Sequence, residues 1–140
     1  MIEVMTIRSY READEAQVAA LWSDIFPEQR PWNQPPAYIA RKLGFQRELF
    51  LVGEIDGRVV ATVVGGFDGV RGWIYHLAVV PARRRCGYGH AMMEAVEREL
   101  AALGCPKINL QILPQNTEVA HFYERLGYAV EERVSMGKLL

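Results

Sequence analysis

Arg83, Arg84 and Arg85 run into Cys86-Gly87-Tyr88-Gly89-His90, and this basic glycine turn joins the apolar stretch Leu77-Ala78-Val79-Val80 to a segment with apolar residues at helical spacing. The chemistry offered by such a junction is anion binding. The first N–H groups of a helix have no intrahelical acceptor and lie at the positive end of the macrodipole. Gly87 and Gly89 let the backbone approach an anion closely, and the arginines add charge around it. A phosphate or pyrophosphate cradle is the first expectation, and a helix start with no ligand is the plain alternative. A dinucleotide fingerprint is disfavoured, because it needs a third glycine where Met92 stands and belongs near the start of a βαβ unit.

Other reactive side chains are scattered. Tyr75 and His76 stand just before the apolar stretch; a histidine takes up a proton near neutral pH, but His76 reads equally as a satisfied histidine on a strand face. Tyr123 is a phenol with an ordinary pKa of about 10, protonated at neutral pH and able to donate. It shares a helical stripe with Val119, Phe122 and Leu126, so it also reads as a packing aromatic. His76, Cys86, His90, Cys105 and His121 lack metal-ligand spacing, since only Cys86 and His90 are close and they straddle the glycine turn; no metal is expected.

Composition narrows the partners. The chain has 140 residues, half of them hydrophobic, enough for one domain spanning 1–140 with its own core. Sixteen Lys+Arg against 17 Asp+Glu leave a net charge of −1, and three arginines without interleaved aromatics make a weak nucleic-acid patch. Two cysteines cannot build a disulfide framework, and the N-terminal residues form neither a secretion signal nor a membrane span. A cytoplasmic chain with no membrane or nucleic-acid partner is the expectation.

The elements that must position these groups follow from periodicity. Ile2, Val4 and Thr6 alternate as in a strand. Asp14 stands at an N-cap position with Gln17 three residues on, ahead of Val18, Leu21, Trp22 and Ile25 at helical spacing. Residues 27–36 carry four prolines and read as an ordered loop, followed by a helix with Pro35 or Pro36 in its first turn and Gly44 as its stop. Asp56-Gly57 between two apolar runs predicts a hairpin. Gly65-Gly66 breaks the second of these strands, and residues 73–80 supply a third. Beyond the glycine turn come a helix with Met92, Val96, Leu100 and Leu103 on one stripe, a strand at 108–112, a helix capped by Asn116 and ended by Gly127, and an apolar-alternating tail.

The order β-α-α-β-β-β-α-β-α-β, with Arg84-x-x-Gly87-x-Gly89 following a strand, resembles the GNAT superfamily of N-acetyltransferases along nearly the whole chain. Asn116-x-x-x-Ala120-x-x-Tyr123-x-x-x-Gly127-Tyr128 is similar to a second segment of that family, with Ala120 one place late and Tyr128 in place of Phe. Arg30-Pro31-Trp32-Asn33 and Gly65-Gly66-x-Asp68-Gly69 resemble a bacterial branch, the YpeA-like proteins. The resemblance implies an α/β (α+β) fold, a mixed central sheet with helices on both faces, whose fourth and fifth strands splay around acyl-CoA. It implies acetyl transfer from acetyl-CoA to a primary amine of a small molecule or protein, without a metal, by direct attack. Main-chain groups of Leu77, Ala78 and Val79 would hold the pantetheine arm, while Arg84, Arg85, Cys86, Gly87, Tyr88, Gly89 and His90 would hold the pyrophosphate, with Asn116 and Tyr123 completing the donor site. Tyr123 would protonate the departing thiolate. Many relatives carry a Glu as base where Tyr75 and His76 stand here, so the base is His76, Tyr75, a water relay, or none if the amine arrives neutral, with Asp68 and Glu54 as outside candidates. The loop at 28–33, with Arg30, Trp32 and Asn33, would wall the acceptor. Dimerisation is common in the family, so the resemblance admits a homodimer, and no interface signal in the sequence goes beyond that. A non-catalytic acyl-CoA-binding module on the same fold is the competing function.

Overall fold

The computed structural model describes residues 3–26 and 30–140. The regular elements are β1 (Thr6–Ser9), α1 (Glu15–Ile25), α2 (Pro35–Leu43), β2 (Phe50–Ile55), β3 (Arg58–Phe67), β4 (Gly72–Val79), α3 (Tyr88–Ala102), β5 (Ile108–Asn109) and α4 (Thr117–Arg125). They cluster into two compact units, Met1–Leu110 with the sheet and the first three helices, and Gln111–Leu140 with α4.

In the first unit the strands lie in the order β1-β2-β3-β4-β5. All neighbours are antiparallel except β4 and β5, which makes the sheet mixed. The β2–β3 hairpin turns at Asp56 (φ +50°) and Gly57 (φ +77°), the pair of left-handed residues that a two-residue turn matched to strand twist requires.

Strand alternation sends alternate side chains to opposite faces, and each face meets its own helices. Phe50, Val52, Val64 and Ala78 pack with Val18, Leu21 and Trp22 of α1 and Ile39 of α2. Met92, Val96 and Leu100 of α3 cover the other face, where close approach is decided by missing side chains. A Cβ on Gly65 would stand 2.7 Å from Val96, and one on Gly53 would stand 3.2 Å from the Met92 sulfur. Each fully buried large apolar side chain contributes about 1.5–3 kcal/mol of transfer free energy.

Several local expectations are revised. Gly65 and Gly66 lie inside β3, where Gly65 admits α3; the strand ends at Phe67, and the Asp68 Oδ1 beyond it accepts the N–H groups of Val70 (2.8 Å) and Arg71 (2.9 Å). Asp14 does not cap α1 with its side chain. A 3-10 turn, Glu12–Asp14, has already made its backbone helical, and its buried carboxylate instead receives two bonds from the Arg8 guanidinium (2.8 and 2.9 Å) and one from the Arg11 N–H. Gln17 reaches across to accept the Val59 N–H. Leu103 leaves the apolar stripe of α3 and is exposed. Ile2 and residues 27–29 of the expected proline loop lie outside the described residues.

In the second unit Asn116 occupies the N-cap position of α4, but its side chain makes no capping bond; its backbone instead closes a turn, with its N–H on the Leu113 carbonyl. The other end is tightly built. Gly127 (φ +97°) donates to the Glu124 carbonyl and Tyr128 to the Tyr123 carbonyl, both at 3.0–3.1 Å, the paired bonds of a Schellman motif. Its apolar contact is the edge-to-face pair Tyr123–Tyr128, with ring centroids 5.6 Å apart. The strand expected at 108–112 is limited to β5, and the last strand does not form among the described residues: Val130, Val134 and Met136 supply an alternating face, but each is at least 85% exposed. A strand without a neighbouring ladder has nothing to fix it.

Candidate active site

β4 is the element from which the site is built. Its pairing with β5 covers only Gly72↔Ile108 and Trp73↔Asn109. Beyond Trp73 no strand among the described residues joins that edge, so outward-facing peptide groups as far as Val79 need another partner. On the other side β4 carries a bulge against β3. Thr62 pairs with Ala78 and Val64 with Tyr75, which leaves His76 and Leu77 opposite Val63 alone. The extra residue is absorbed by His76 at φ +50°.

The open edge leads directly into the glycine turn. After the short 3-10 turn Pro81–Arg83, the chain turns through Arg85 (φ +61°) and Gly87 (φ +82°) and enters α3. The first intrahelical bond is that of Ala91 to the Gly87 carbonyl, so the amides of Tyr88, Gly89 and His90 precede it and face the helix N-terminus. Gly87 is required by conformation rather than by space, because a Cβ there would meet nothing within 4 Å. Arg83 is engaged by Glu3, whereas Arg84 and Arg85 are exposed at the turn. The His90 ring lies 2.5 Å from Glu94 one turn along, which draws it along the helix surface. Cys86 is exposed, with its thiol toward the Arg84 carbonyl.

His76 is enclosed by aromatic rings. Trp22, Tyr38 and Phe26 lie 4.5, 4.4 and 4.9 Å from it between centroids. Burial in that box lowers its pKa from 6.5 to about 4, since nothing charged there compensates an imidazolium. Its carbonyl accepts the Thr62 hydroxyl, which in turn accepts the Trp22 indole N–H at 2.8 Å. Of these rings Tyr38 also lines a recess of about 380 Å³, together with Lys42, Phe45, Asp68, Trp73 and Tyr75 among others. Tyr75 is half-exposed there, and burial and the Asp68 charge push its phenol above the ordinary value. Tyr38, Lys42 and Phe45 were not singled out by sequence reasoning. The one available signal is the spacing of Tyr38 and Lys42, one turn apart on α2.

Arg30, Trp32 and Asn33 enter α2 through the 3-10 turn Pro31–Asn33, where Trp32 is 43% exposed and its carbonyl is held by Arg41. They do not line that recess. In the second unit Tyr123 is buried beside the Phe122 ring (5.0 Å), and burial pushes its phenol well above the ordinary value. Among the described residues no three His, Cys, Asp or Glu side chains are grouped to hold a metal.

The model of the acetyltransferase (GNAT) family matches residues 16–128, across both units. The chain belongs to the GNAT family. This GNAT chain is 41% identical over 138 residues to an acetyltransferase of Yersinia enterocolitica, covering 97% of the chain and 96% of that protein. Its fold is similar to that of Ard1 from Thermoplasma volcanium (TM-score 0.81, 24% identity, 91% and 84% of the two chains). It is similar also to the aminoglycoside N-acetyltransferase AAC(6')-Iy in complex with CoA (TM-score 0.78, 19% identity, 99% and 97% of the two chains). The GNAT fold and acyl transfer as a chemistry are therefore established for the chain. No described helix is long and apolar enough to cross a membrane.

Proposed function

We propose that this GNAT chain transfers the acetyl group of acetyl-CoA to a primary amine by direct attack. The observation that carries the reading is the edge of β4, unpaired beyond Trp73 and ending at the exposed N-terminus of α3. Peptide groups of Leu77, Ala78 and Val79 hold the pantetheine arm as an added strand would, and the amides and side chains from Arg84 to His90 receive the pyrophosphate.

In the reaction the amine nitrogen attacks the thioester carbon, and negative charge collects on the carbonyl oxygen. A main-chain N–H on the free edge of β4 stabilises it. The C–S bond then breaks, and the thiolate takes a proton from the Tyr123 phenol. That phenol is protonated at neutral pH, as one of ordinary pKa near 10 already is, and burial raises its pKa further, making it a weaker acid. The amine nitrogen also sheds a proton, and a proton from water restores the Tyr123 phenol. His76, held near pKa 4 in its aromatic box, is neutral but a weak acceptor, so water in the recess beside Tyr75 carries the proton away. The weakness of that imidazole favours one competitor, a module that binds acyl-CoA without turnover.

Calorimetric titration with acetyl-CoA tests the reading, beside a folded Gly87→Glu, Gly89→Glu double variant. Binding by the parent and its loss in the variant support the donor site; release of free thiol on adding amines separates transferase from binding module. A folded parent that does not bind acetyl-CoA overturns the proposal.

A further inference from the structure

The recess beside β4 contains a cation that no carboxylate pairs directly, the nearby Glu48 charge offsetting only part of the cost of its burial. Lys42 is half-buried on α2, donating to the Gly65 carbonyl at 2.6 Å, with the Phe45 ring centroid 5.9 Å away. Among the described residues it forms no ion pair, and burial lowers its pKa. Among the described residues, two of its three N–H donors make no bond to the protein. Around it Tyr38, Phe45, Trp73 and Tyr75 supply ring surface, and Asp68 is the single carboxylate of the lining. The volume, about 380 Å³, suits a small ligand, at the lower end of the ~300–1,000 Å³ usual for such sites.

We propose that this recess selects an acceptor amine that carries a carboxylate on an apolar, ring-bearing body, with Lys42 binding the carboxylate. The inference rests on the transferase reading and names the substrate class of that same site. Its logic is charge complementarity. A half-buried ammonium with free donors among rings gains most from an anion that brings its own apolar surface. Asp68, exposed at the rim, attracts the opposite end of the same molecule, the ammonium, before it loses its proton. Tyr75 places the recess two residues from Leu77, where the proposed donor strand begins. A simple alkylamine or a polyamine would leave Lys42 unanswered and would be repelled by it.

The test compares ligands that differ only in the carboxylate. N-acetylphenylalanine and N-acetylphenethylamine are titrated calorimetrically into the CoA-saturated protein, and phenylalanine and phenethylamine are compared as acceptors by thiol release. The parent is expected to bind the carboxylate-bearing product at least about tenfold more tightly, and this preference is expected to fall below about twofold in Lys42→Met. Tyr75→Ala should weaken both products alike. Equal affinities in the parent, a preference that survives in Lys42→Met, or no binding of either product overturns the assignment, and the parent comparison holds even if the variant does not fold. If neither amine is acetylated, the transferase reading fails and takes the acceptor assignment with it, whatever the affinities of the products. If phenethylamine is acetylated as well as phenylalanine, the transferase reading stands and the recess assignment alone is overturned.

Discussion

Tyr123 and His76 are both buried aromatic groups with displaced pKa values, yet burial pushes them toward opposite uses. Desolvation favours the neutral form of each, which keeps a phenol loaded with its proton and strips an imidazole of its own. Tyr123→Phe is expected to lower kcat about 100-fold with acetyl-CoA affinity unchanged, as steady-state kinetics and calorimetry would show. A structural role alone would lower stability and leave kcat per folded molecule intact. For His76 the consequence is thermodynamic. Unfolded, the ring takes up a proton near pH 6.5; folded, it does so only near 4, so the chain should lose about 3 kcal/mol as pH falls through that window. Urea unfolding at pH 7.5 and 4.5 checks this. His76→Asn, which tolerates the left-handed backbone, should flatten the slope. Asp14, whose carboxyl the Arg8 guanidinium holds below its usual range, adds a second loss at still lower pH, below about 3.8.

At the scale of elements, glycines decide where helices and strands can meet, for two distinct reasons. Gly65 is needed for space: in Gly65→Ala the new Cβ would lie 2.7 Å from Val96, and the resulting strain should cost about 1–3 kcal/mol in denaturant unfolding. Gly127 is needed for conformation, with open space around a Cβ but φ +97°. Gly127→Ala should cost about 1–2 kcal/mol through the Schellman cap of α4. The motif Tyr123-x-x-x-Gly127-Tyr128 thus has a physical reading independent of catalysis. Glycine closes the helix, and Tyr128 packs on the ring that the helix presents.

Across the molecule, a net charge of −1 coexists with two exposed arginines at the helix start, so the charge relevant to an anionic donor is local. Arg84→Ala with Arg85→Ala should raise the KM for acetyl-CoA about tenfold with little change in kcat, and raised salt should shrink that difference. Residues 128–140 form no helix or strand and leave Arg133 and Lys138 exposed. Mass spectrometry of a limited tryptic digest should find cleavage at these two sites before any within the sheet.

What the sequence determined by itself is what local chemistry writes into it. Asp56-Gly57 turns a hairpin because both residues accept positive φ, Gly44, Gly104 and Gly127 end helices, and the basic glycine turn before Tyr88 exposes helix amides wherever the chain is placed. Those features, with element order, sufficed for the family. Tertiary structure alone decided the rest. It set where β5 stops pairing with β4, how a bulge seats His76 among rings rather than in water, and why Gly65 lies inside a strand. Asp14, suited to a cap, lies in a 3-10 turn that has already made its backbone helical, and its carboxylate meets the Arg8 guanidinium and the Arg11 N–H instead. The recess around Lys42 joins side chains from α2, β3 and β4 that lie far apart in sequence. No local pattern encodes such a meeting, since it depends on sheet register and on the way α2 packs against the sheet.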